Sequence, residues 1–179
     1  MSPISLIAKY YTIGTPLYNI LLTHSSHVAD MAVEIVEAYP QYGADRDLVY
    51  QAAMLHDIGI YLTNAPRIFC NGTEPYIRHA LLGGDILRRE GLPLHALICE
   101  RHTGAGISAA EIISQNLPLP HKDMIPETIE EKIVAFADKF FSKTELNKKK
   151  SLKEARASLY LFGEASLARF DKWTDSFIP

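Results

Sequence analysis

The sequence predicts an all-α protein, and three observations support this fold class. Nearly every long segment repeats its apolar residues every three to four positions, which is the period of an amphipathic helix. Serine, threonine or aspartate precedes several of these segments, where a side-chain oxygen can cap the first turn. No run combines strict apolar–polar alternation with turn residues, the pattern of a strand. We therefore expect a helical bundle without strands.

The first three helices have clear start signals. Ser2 and Thr15 each precede a proline, which is favoured at the first helical position. After Thr15 the apolar residues keep the helical period as far as Ile35, and the pattern stops before Pro40. Asp45 can cap a third helix that runs into residues 52–59.

The remaining elements follow from capping residues, glycines and prolines. They are, in order, a loop at 60–74, helices at about 75–90 and 93–102, a short helix capped by Ser108 and Glu111, a loop at 117–126, an amphipathic helix at 127–142, a helix opened by Ser151 and Glu154, a break at Gly163 and a last helix through Trp173.

The composition favours one ordinary globular domain, residues 1–179. Of the 179 residues, 47% are hydrophobic and 22% are charged, and the net charge is −3. This charge provides no electrostatic case for a nucleic-acid or membrane partner. The two cysteines form no CxxC motif, and no signal peptide is visible, so we expect reduced thiols and a cytoplasmic protein. The sequence leaves a homodimer open.

An adjacent histidine and aspartate stand at the end of an apolar run, AAMLHDIG, residues 52–59. A carboxylate is rarely buried without a partner. A divalent cation would satisfy both His56 and Asp57, and it would need further ligands from elsewhere in the chain.

Four more polar side chains occupy apolar stripes of other helices. They are His24, His79, His102 and Asp138. Each alone is more often a core residue that is hydrogen-bonded to a local partner. With His56 and Asp57 they make six such residues in five segments. Without a metal, each segment would need its own hydrogen-bond partner for the buried polar group, whereas metal ions would serve as the partner of all six. The pattern therefore favours a metal centre.

The same positions carry a family resemblance. Five blocks occur in order: HSSHVADMA, AAMLHDIG, HALLGGDIL, ERHTGAGI and EEKIVAFADK. Together they resemble the HD-domain superfamily of metal-dependent phosphohydrolases, in the subgroup whose motif reads HDIG. The resemblance covers about residues 15–145, which would form the HD core, and residues 151–179 would be a helical extension.

The resemblance implies a role for each matched position. A first metal would be held by His24, His56, Asp57 and Asp138. His79 and His102 are typical of members with a second metal, and Asp57 would then bridge the two ions. His56 and Asp57 would be the catalytic pair. His27 is a rival for the first ligand, but the Val-Ala pair expected four residues after that ligand matches His24 better.

The donor set and the resemblance together indicate the chemistry. Imidazole and carboxylate ligands without thiolate suit iron or manganese, and also zinc, nickel or cobalt. Two such ions can polarise a phosphoryl oxygen and supply a bridging hydroxide as nucleophile. The expected substrate is a small phosphorylated metabolite or nucleotide. Similarity to HD-type diadenosine tetraphosphate hydrolases favours a dinucleoside polyphosphate or a nucleoside diphosphate.

A phosphate substrate also needs cationic contacts. Arg78, Arg101 and Lys139 each adjoin a proposed ligand, while Arg67 and His121 lie in the two irregular loops. Neighbours on a helix point about 100° apart, so the flanking cations cannot all face one pocket. Arg78, Arg101, Lys139 and His121 are the expected substrate contacts, although each alone is more often a surface residue.

Two alternative functions remain at this point. Some HD proteins use the same six ligands for a diiron centre that activates oxygen, so an oxygenase is the first alternative. A sensor that binds a nucleotide without turning it over is the second, since a fold does not by itself imply catalysis. The complete ligand set favours the phosphohydrolase over this sensor.

Overall fold

The computed structural model describes residues 2–178 and confirms the all-α class. The helices within that range are α1 Pro3–Tyr10, α2 Pro16–Ala38, α3 Arg46–Leu55, α4 His79–Arg89, α5 Pro93–Arg101, α6 Ala109–Ser114, α7 Ile129–Asp138, α8 Leu152–Ser158 and α9 Glu164–Phe177. Short 3-10 turns occupy several of the connections, including Pro66–Ile68, Tyr76–Arg78 and Leu159–Phe162.

The caps predicted from the sequence are confirmed. The side chains of Ser2, Thr15 and Asp45 accept backbone N–H groups in the first turns of α1, α2 and α3. Ser108 and Ser151 each form the predicted capping box with a glutamate three residues later. Local hydrogen bonding therefore sets where these helices begin.

The expectation of no strand is wrong for four residues. Within the 60–74 loop, β1 Asn64–Ala65 pairs antiparallel with β2 Cys70–Asn71. Phe69, in the turn between them, has a left-handed backbone with φ of 61°. Strands of two residues are too short to show alternation, so the sequence pattern could not reveal them.

The amphipathic helix predicted at 127–142 is shorter in the structure. It begins after Thr128, whose side chain caps it, and α7 ends at Asp138. Beyond that point the chain forms turns, with the Phe141 N–H bonded to the Asp138 carbonyl over three residues. The apolar residues Phe140 and Phe141 continue the helical period in sequence, which explains the overestimate.

The core lies between α2, α3, α5 and α7, and α4 packs along α5. The C-terminal helix α9 adds aromatic residues to this core: the ring centroids of Phe136 and Phe170 are 5.0 Å apart and those of Phe136 and Phe177 are 5.4 Å apart. No helix in residues 2–178 combines the length and the apolar character needed to cross a membrane.

Helix α9 also holds the loop that follows α5. The Arg169 guanidinium donates to the carbonyls of Ala105 and Gly106, at 2.8 and 2.7 Å. The Ser166 hydroxyl accepts the Ala105 N–H, and the Phe162 ring lies against Gly104. The residues after His102 are therefore fixed by the C-terminal part of the chain.

Close backbone contact brings the turn after α3 against α4. A methyl group added at Gly59 would lie 2.3 Å from the His79 carbonyl oxygen and 2.4 Å from the Gly83 nitrogen. Such distances leave no room for a side chain. Glycine at position 59 therefore allows the residues on the two sides to approach one another.

We expect Gly59→Ala to lower the free energy of unfolding by about 3 kcal/mol, because the methyl group forces backbone apart in a packed core. For a domain of this size the melting temperature should fall by roughly 6–12 °C. Thermal unfolding followed by circular dichroism measures the change.

Gly91→Ala is the matched control. Gly91 has φ of 76° and open space around the position of a side chain, so alanine there costs backbone strain alone, about 1–2 kcal/mol. Equal losses for the two variants would contradict the close approach as the cause.

Candidate metal centre

The structure brings together all six predicted ligands. His24 lies within α2, His56 and Asp57 directly follow α3, His79 begins α4, His102 directly follows α5 and Asp138 ends α7. Each is buried, with at most 8% of its surface exposed. Five of the six stand at helix ends, so the packing of α3, α4, α5 and α7 determines their meeting point.

One group of donors surrounds the second carboxylate oxygen of Asp57. The Nε2 atoms of His24 and His56 lie 3.2 and 3.0 Å from Asp57 Oδ2. The same nitrogens lie 3.0 and 3.4 Å from Asp138 Oδ1. These four atoms form a compact set that could hold one metal ion.

A second group surrounds the other oxygen of Asp57. The Nε2 atoms of His79 and His102 lie 3.4 and 3.6 Å from Asp57 Oδ1 and 3.1 Å from each other. The three residues form a second candidate metal site. Asp57 therefore directs one oxygen to each group, as expected for a carboxylate that bridges two ions.

Backbone carbonyls orient three of the imidazoles. The Nδ1 atoms of His56, His79 and His102 donate to the carbonyl oxygen three residues earlier, at 2.6, 2.7 and 2.6 Å. In the neutral ring this leaves Nε2 with its lone pair directed into the centre. Metal-ligating histidines are commonly held in this way.

The donor geometry fits metal ions well. With Nδ1 as the donor, His79 and His102 bring two unprotonated Nε2 atoms to 3.1 Å, an unfavourable contact unless a cation lies between them. Ligands about 2.1 Å from an ion are roughly 3.0–3.4 Å from one another, which matches the distances within the first group. Asp57 Oδ1, the oxygen that faces the second group, also lacks a hydrogen bond within the described residues.

The protonation of the imidazoles depends on their neighbours. Burial lowers the pKa of His79 to about 3 and also lowers the pKa of His102, so both rings are neutral. Burial acts in the same direction on His56, but the carboxylates of Asp57 and Asp138 raise the pKa of His56 to about 9. The two groups therefore differ in their carboxylates, because Asp138 belongs to the first group alone.

Lys143 also lies at the site, and the sequence pattern did not predict it. Its Nζ lies 2.5 Å from Asp57 Oδ2, and its side chain is 14% exposed. Burial would raise the pKa of Asp57, but the Lys143 ammonium and the imidazoles hold that pKa well below its usual range. In a continuous helix Lys143 would point about 140° away from Asp138. The turn after α7 returns it to the centre.

The four expected substrate contacts have different positions. Lys139 lies at the centre, with Nζ 2.7 Å from Asp138 Oδ2. Arg78 is instead bonded to Glu74 at 2.5 Å, and Arg101 is bonded to Glu131 at 3.0 Å. Both guanidinium groups are bonded to local carboxylates, and neither residue lines the cleft at the centre, so the structure does not bring these two expected contacts to the site.

His121 and His27 also lie apart from the ligand groups. The side chain of His121 is exposed in its loop and does not line the cleft at the centre, so the expected contact is corrected. The His27 ring lies beside Phe141, at a centroid distance of 5.5 Å. The choice of His24 over His27 agrees with this geometry.

A cleft of two chambers leads to the centre. The inner chamber has a volume of about 170 Å³ and reaches His79, His102 and Asp138. The outer chamber has a volume of about 460 Å³. The two share a wall made by Tyr76, Asp138, Lys139, Lys143 and Phe162.

Comparison with known proteins identifies the family. The model of the HD domain matches residues 21–142, which include all six candidate ligands. The chain belongs to the HD-domain family. The match ends before α8, so α8 and α9 lie outside the part that the family model describes.

Several relatives match about two thirds of this chain. The chain is 41% identical over 125 residues to a tRNA (cytidine(56)-2'-O)-methyltransferase of Picrophilus torridus and 42% identical over 123 residues to the enzyme of the same name in Thermoplasma volcanium. These matches cover 69% and 68% of this chain, but 32% of each relative. The chain thus spans about a third of their length.

Two further similarities complete the comparison. An uncharacterized protein of Methanocaldococcus jannaschii is 40% identical over 121 residues, which are 66% of this chain and 64% of that protein. Among solved structures, the HD domain of the L. monocytogenes phosphodiesterase PgpH superposes with a TM-score of 0.56 over 98% of this chain and 86% of that one, at 17% identity. The structural likeness supports the HD fold.

We expect the purified protein to bind two equivalents of transition metal and His102→Asn to bind one. Loss of one imidazole from the second group weakens that site, while the first keeps all four donors. Elemental analysis after equilibration with manganese or iron and removal of the excess measures the ratio.

His27→Asn is the control, because the same side-chain change beside the centre should leave two equivalents. A wild-type ratio near zero, or an unchanged ratio in His102→Asn, would count against the assignment of ligands.

Proposed function

We propose that this protein is a metal-dependent phosphohydrolase that acts on a small phosphorylated metabolite, with a nucleotide as the favoured class. The observation that carries the proposal is the meeting of two donor groups on one buried carboxylate, Asp57, beneath a cleft that contains lysines. Membership of the HD-domain family supports it. A pair of divalent cations bound there would provide Lewis acidity toward a phosphoryl oxygen and lower the pKa of a water molecule.

The ligands hold the reacting groups in place. Under this proposal His24, His56, Asp57 and Asp138 hold the first ion, and His79 and His102 join Asp57 to hold the second. The carbonyl contacts of three imidazoles fix their rings before substrate arrives, so little reorganisation is needed. Hydrolysis then uses one water molecule and breaks one P–O bond of the substrate.

Lys143 and Lys139 would bind the phosphoryl oxygens. Both line the inner chamber, and an ammonium group has three N–H donors. Contact with Asp57 uses one donor of Lys143, which leaves two for the substrate. Cations in this position stabilise the negative charge that develops as the P–O bond breaks.

The substrate class is inferred from the cleft and the family. The outer chamber is within the usual size range of small-ligand pockets. The PgpH domain was also solved in complex with cyclic-di-AMP, a nucleotide that binds that protein. We propose dinucleoside polyphosphates and nucleoside diphosphates as the first candidates, because the ligand motifs resemble those of HD-type diadenosine tetraphosphate hydrolases.

Methyl transfer is not part of the proposal. The relatives named as tRNA methyltransferases are about three times as long as the segment that they share with this chain. The six candidate ligands of this chain form a donor set that suits metal-assisted hydrolysis.

A screen of phosphorylated metabolites tests the proposal. We expect manganese- or iron-loaded protein to release phosphate or a nucleotide from at least one nucleotide substrate, and we expect Asp57→Asn to lower the rate by at least about a thousandfold, since Asp57 serves both ions. Absence of product under both metals would count against hydrolysis. Iron-dependent oxygen consumption in its place would favour the oxygenase.

Lys143→Met should lower kcat by about a hundredfold, because it removes a cation from the phosphoryl group and keeps the aliphatic stem. The metal content should stay at two equivalents, which separates this effect from loss of ligands. Lys149→Met is the control: Lys149 is exposed and lines neither chamber of the cleft. Steady-state kinetics and elemental analysis on the same samples provide both readouts.

A further inference from the structure

The outer chamber contains two cations without a carboxylate partner. Arg67 and Lys150 both line it, and neither forms an ion pair within the described part of the chain. Most other arginines differ: Arg46, Arg88 and Arg156, for example, each bind an acidic side chain. Unpaired cations that share one cavity indicate an anionic ligand.

The inner chamber has room for a single phosphoryl group. Its volume of about 170 Å³ is well below the range of pockets that enclose whole small ligands. Lys139 and Lys143 line it, and the buried hydroxyl of Thr103 there has no hydrogen-bond partner among residues 2–178. A phosphoryl oxygen would provide that partner.

The outer chamber must then hold the rest of the substrate. One part of its wall is apolar, with Ala65, Ile68, Phe141 and Phe162. Another part is cationic, with Arg67 and Lys150. Asp138 is the acidic residue in this wall, and it is already assigned to the metal centre. The chamber therefore suits an organic group and a second anion together.

Local structure fixes the backbone at both cations. Arg67 is the middle residue of the 3-10 turn Pro66–Ile68, which lies between the two short strands. The Lys150 N–H donates to the Phe140 carbonyl at 2.8 Å, which anchors the chain end of the 139–150 segment beside α7. Burial, together with repulsion from Lys139 and Lys143, lowers the pKa of Lys150. An anion in the chamber would relieve that repulsion.

We propose that Arg67 and Lys150 form a subsite for a second phosphoryl group, adjacent to the one at the metal centre. The substrate is then a diphosphate or longer polyphosphate ester, and its organic group lies on the apolar wall. The subsite rests on the proposed function, because the first phosphoryl group is the one that is hydrolysed. It adds a requirement that a monophosphate cannot meet.

The arginine suits this role by its shape. A guanidinium group can donate two parallel N–H bonds to one phosphoryl group, whereas a lysine acts as a point charge. A pair of such residues separates substrates by the number of their phosphates rather than by their organic part. The two inner lysines do not make this distinction, since every phosphate ester reaches them.

Binding of inorganic pyrophosphate and inorganic phosphate tests the subsite without turnover. Calorimetry on metal-loaded protein should show pyrophosphate binding at least about tenfold more tightly than phosphate. Arg67→Gln and Lys150→Gln should each weaken pyrophosphate binding about tenfold and change phosphate binding less than about twofold. Elemental analysis after each titration shows whether the metal stays bound.

Arg89→Gln and Lys149→Gln are the matched controls. Both residues are exposed and lie outside the two chambers, so each control removes the same charge without touching the subsite. Equal weakening of both ligands by Arg67→Gln and Lys150→Gln, or no weakening even in the double variant, would overturn the proposal. The same result from the controls would also overturn it, because it would reveal an effect of total charge.

The outcomes separate this inference from the proposed function. Selective pyrophosphate binding that depends on Arg67 and Lys150, without hydrolysis of any phosphate, would support the subsite and contradict the hydrolase. Hydrolysis of diphosphates and monophosphates with equal efficiency, unaffected by the two substitutions, would support the hydrolase and contradict the subsite.

Discussion

The arrangement of this site depends on one buried carboxylate that contacts both groups of donors. Asp57 is fully buried, and its two oxygens face different pairs of imidazoles. A charged group in such a place must be compensated, or it would destabilise the fold. The compensation comes from five separate segments, so the helix ends that carry the donors have to meet within a few ångströms. The glycine at position 59 makes this approach possible, because the turn after α3 touches the backbone of α4 there.

The charge of the cleft above the centre is opposite in sign to the net charge of the chain. The chain as a whole has a net charge of −3, yet the cleft above the centre gathers Arg67, Lys139, Lys143 and Lys150. A local concentration of one sign in a concave wall focuses the field and raises the local concentration of anions. The net charge of the whole chain therefore understates how strongly this surface attracts an anion. For the same reason, the negative net charge of the chain does not exclude a small anionic ligand.

The ligands could be predicted from sequence because their chemistry conflicts with their positions. His24 and Asp138 are polar residues on apolar stripes, and such conflicts are visible in one sequence. Lys143 is different, because its place depends on the end of α7 at Asp138, and the apolar residues beyond that point continue the helical period. Arg101 shows the opposite error: it adjoins His102 in sequence, but Glu131 of another helix takes its guanidinium. Contacts across the fold decided both cases, and no local pattern reports them.

The contribution of the C-terminal helix has a consequence for how this protein can diverge from its relatives. Residues 21–142 match the family, while Phe162, Ser166 and Arg169 lie beyond that range and hold the loop after His102. Phe162 also lines both chambers. Mutational drift in this tail can therefore reshape the entrance while the shared region retains its donors. The donors and the residues that fix the loop beside them therefore lie in different stretches of the sequence, and the two stretches can change separately.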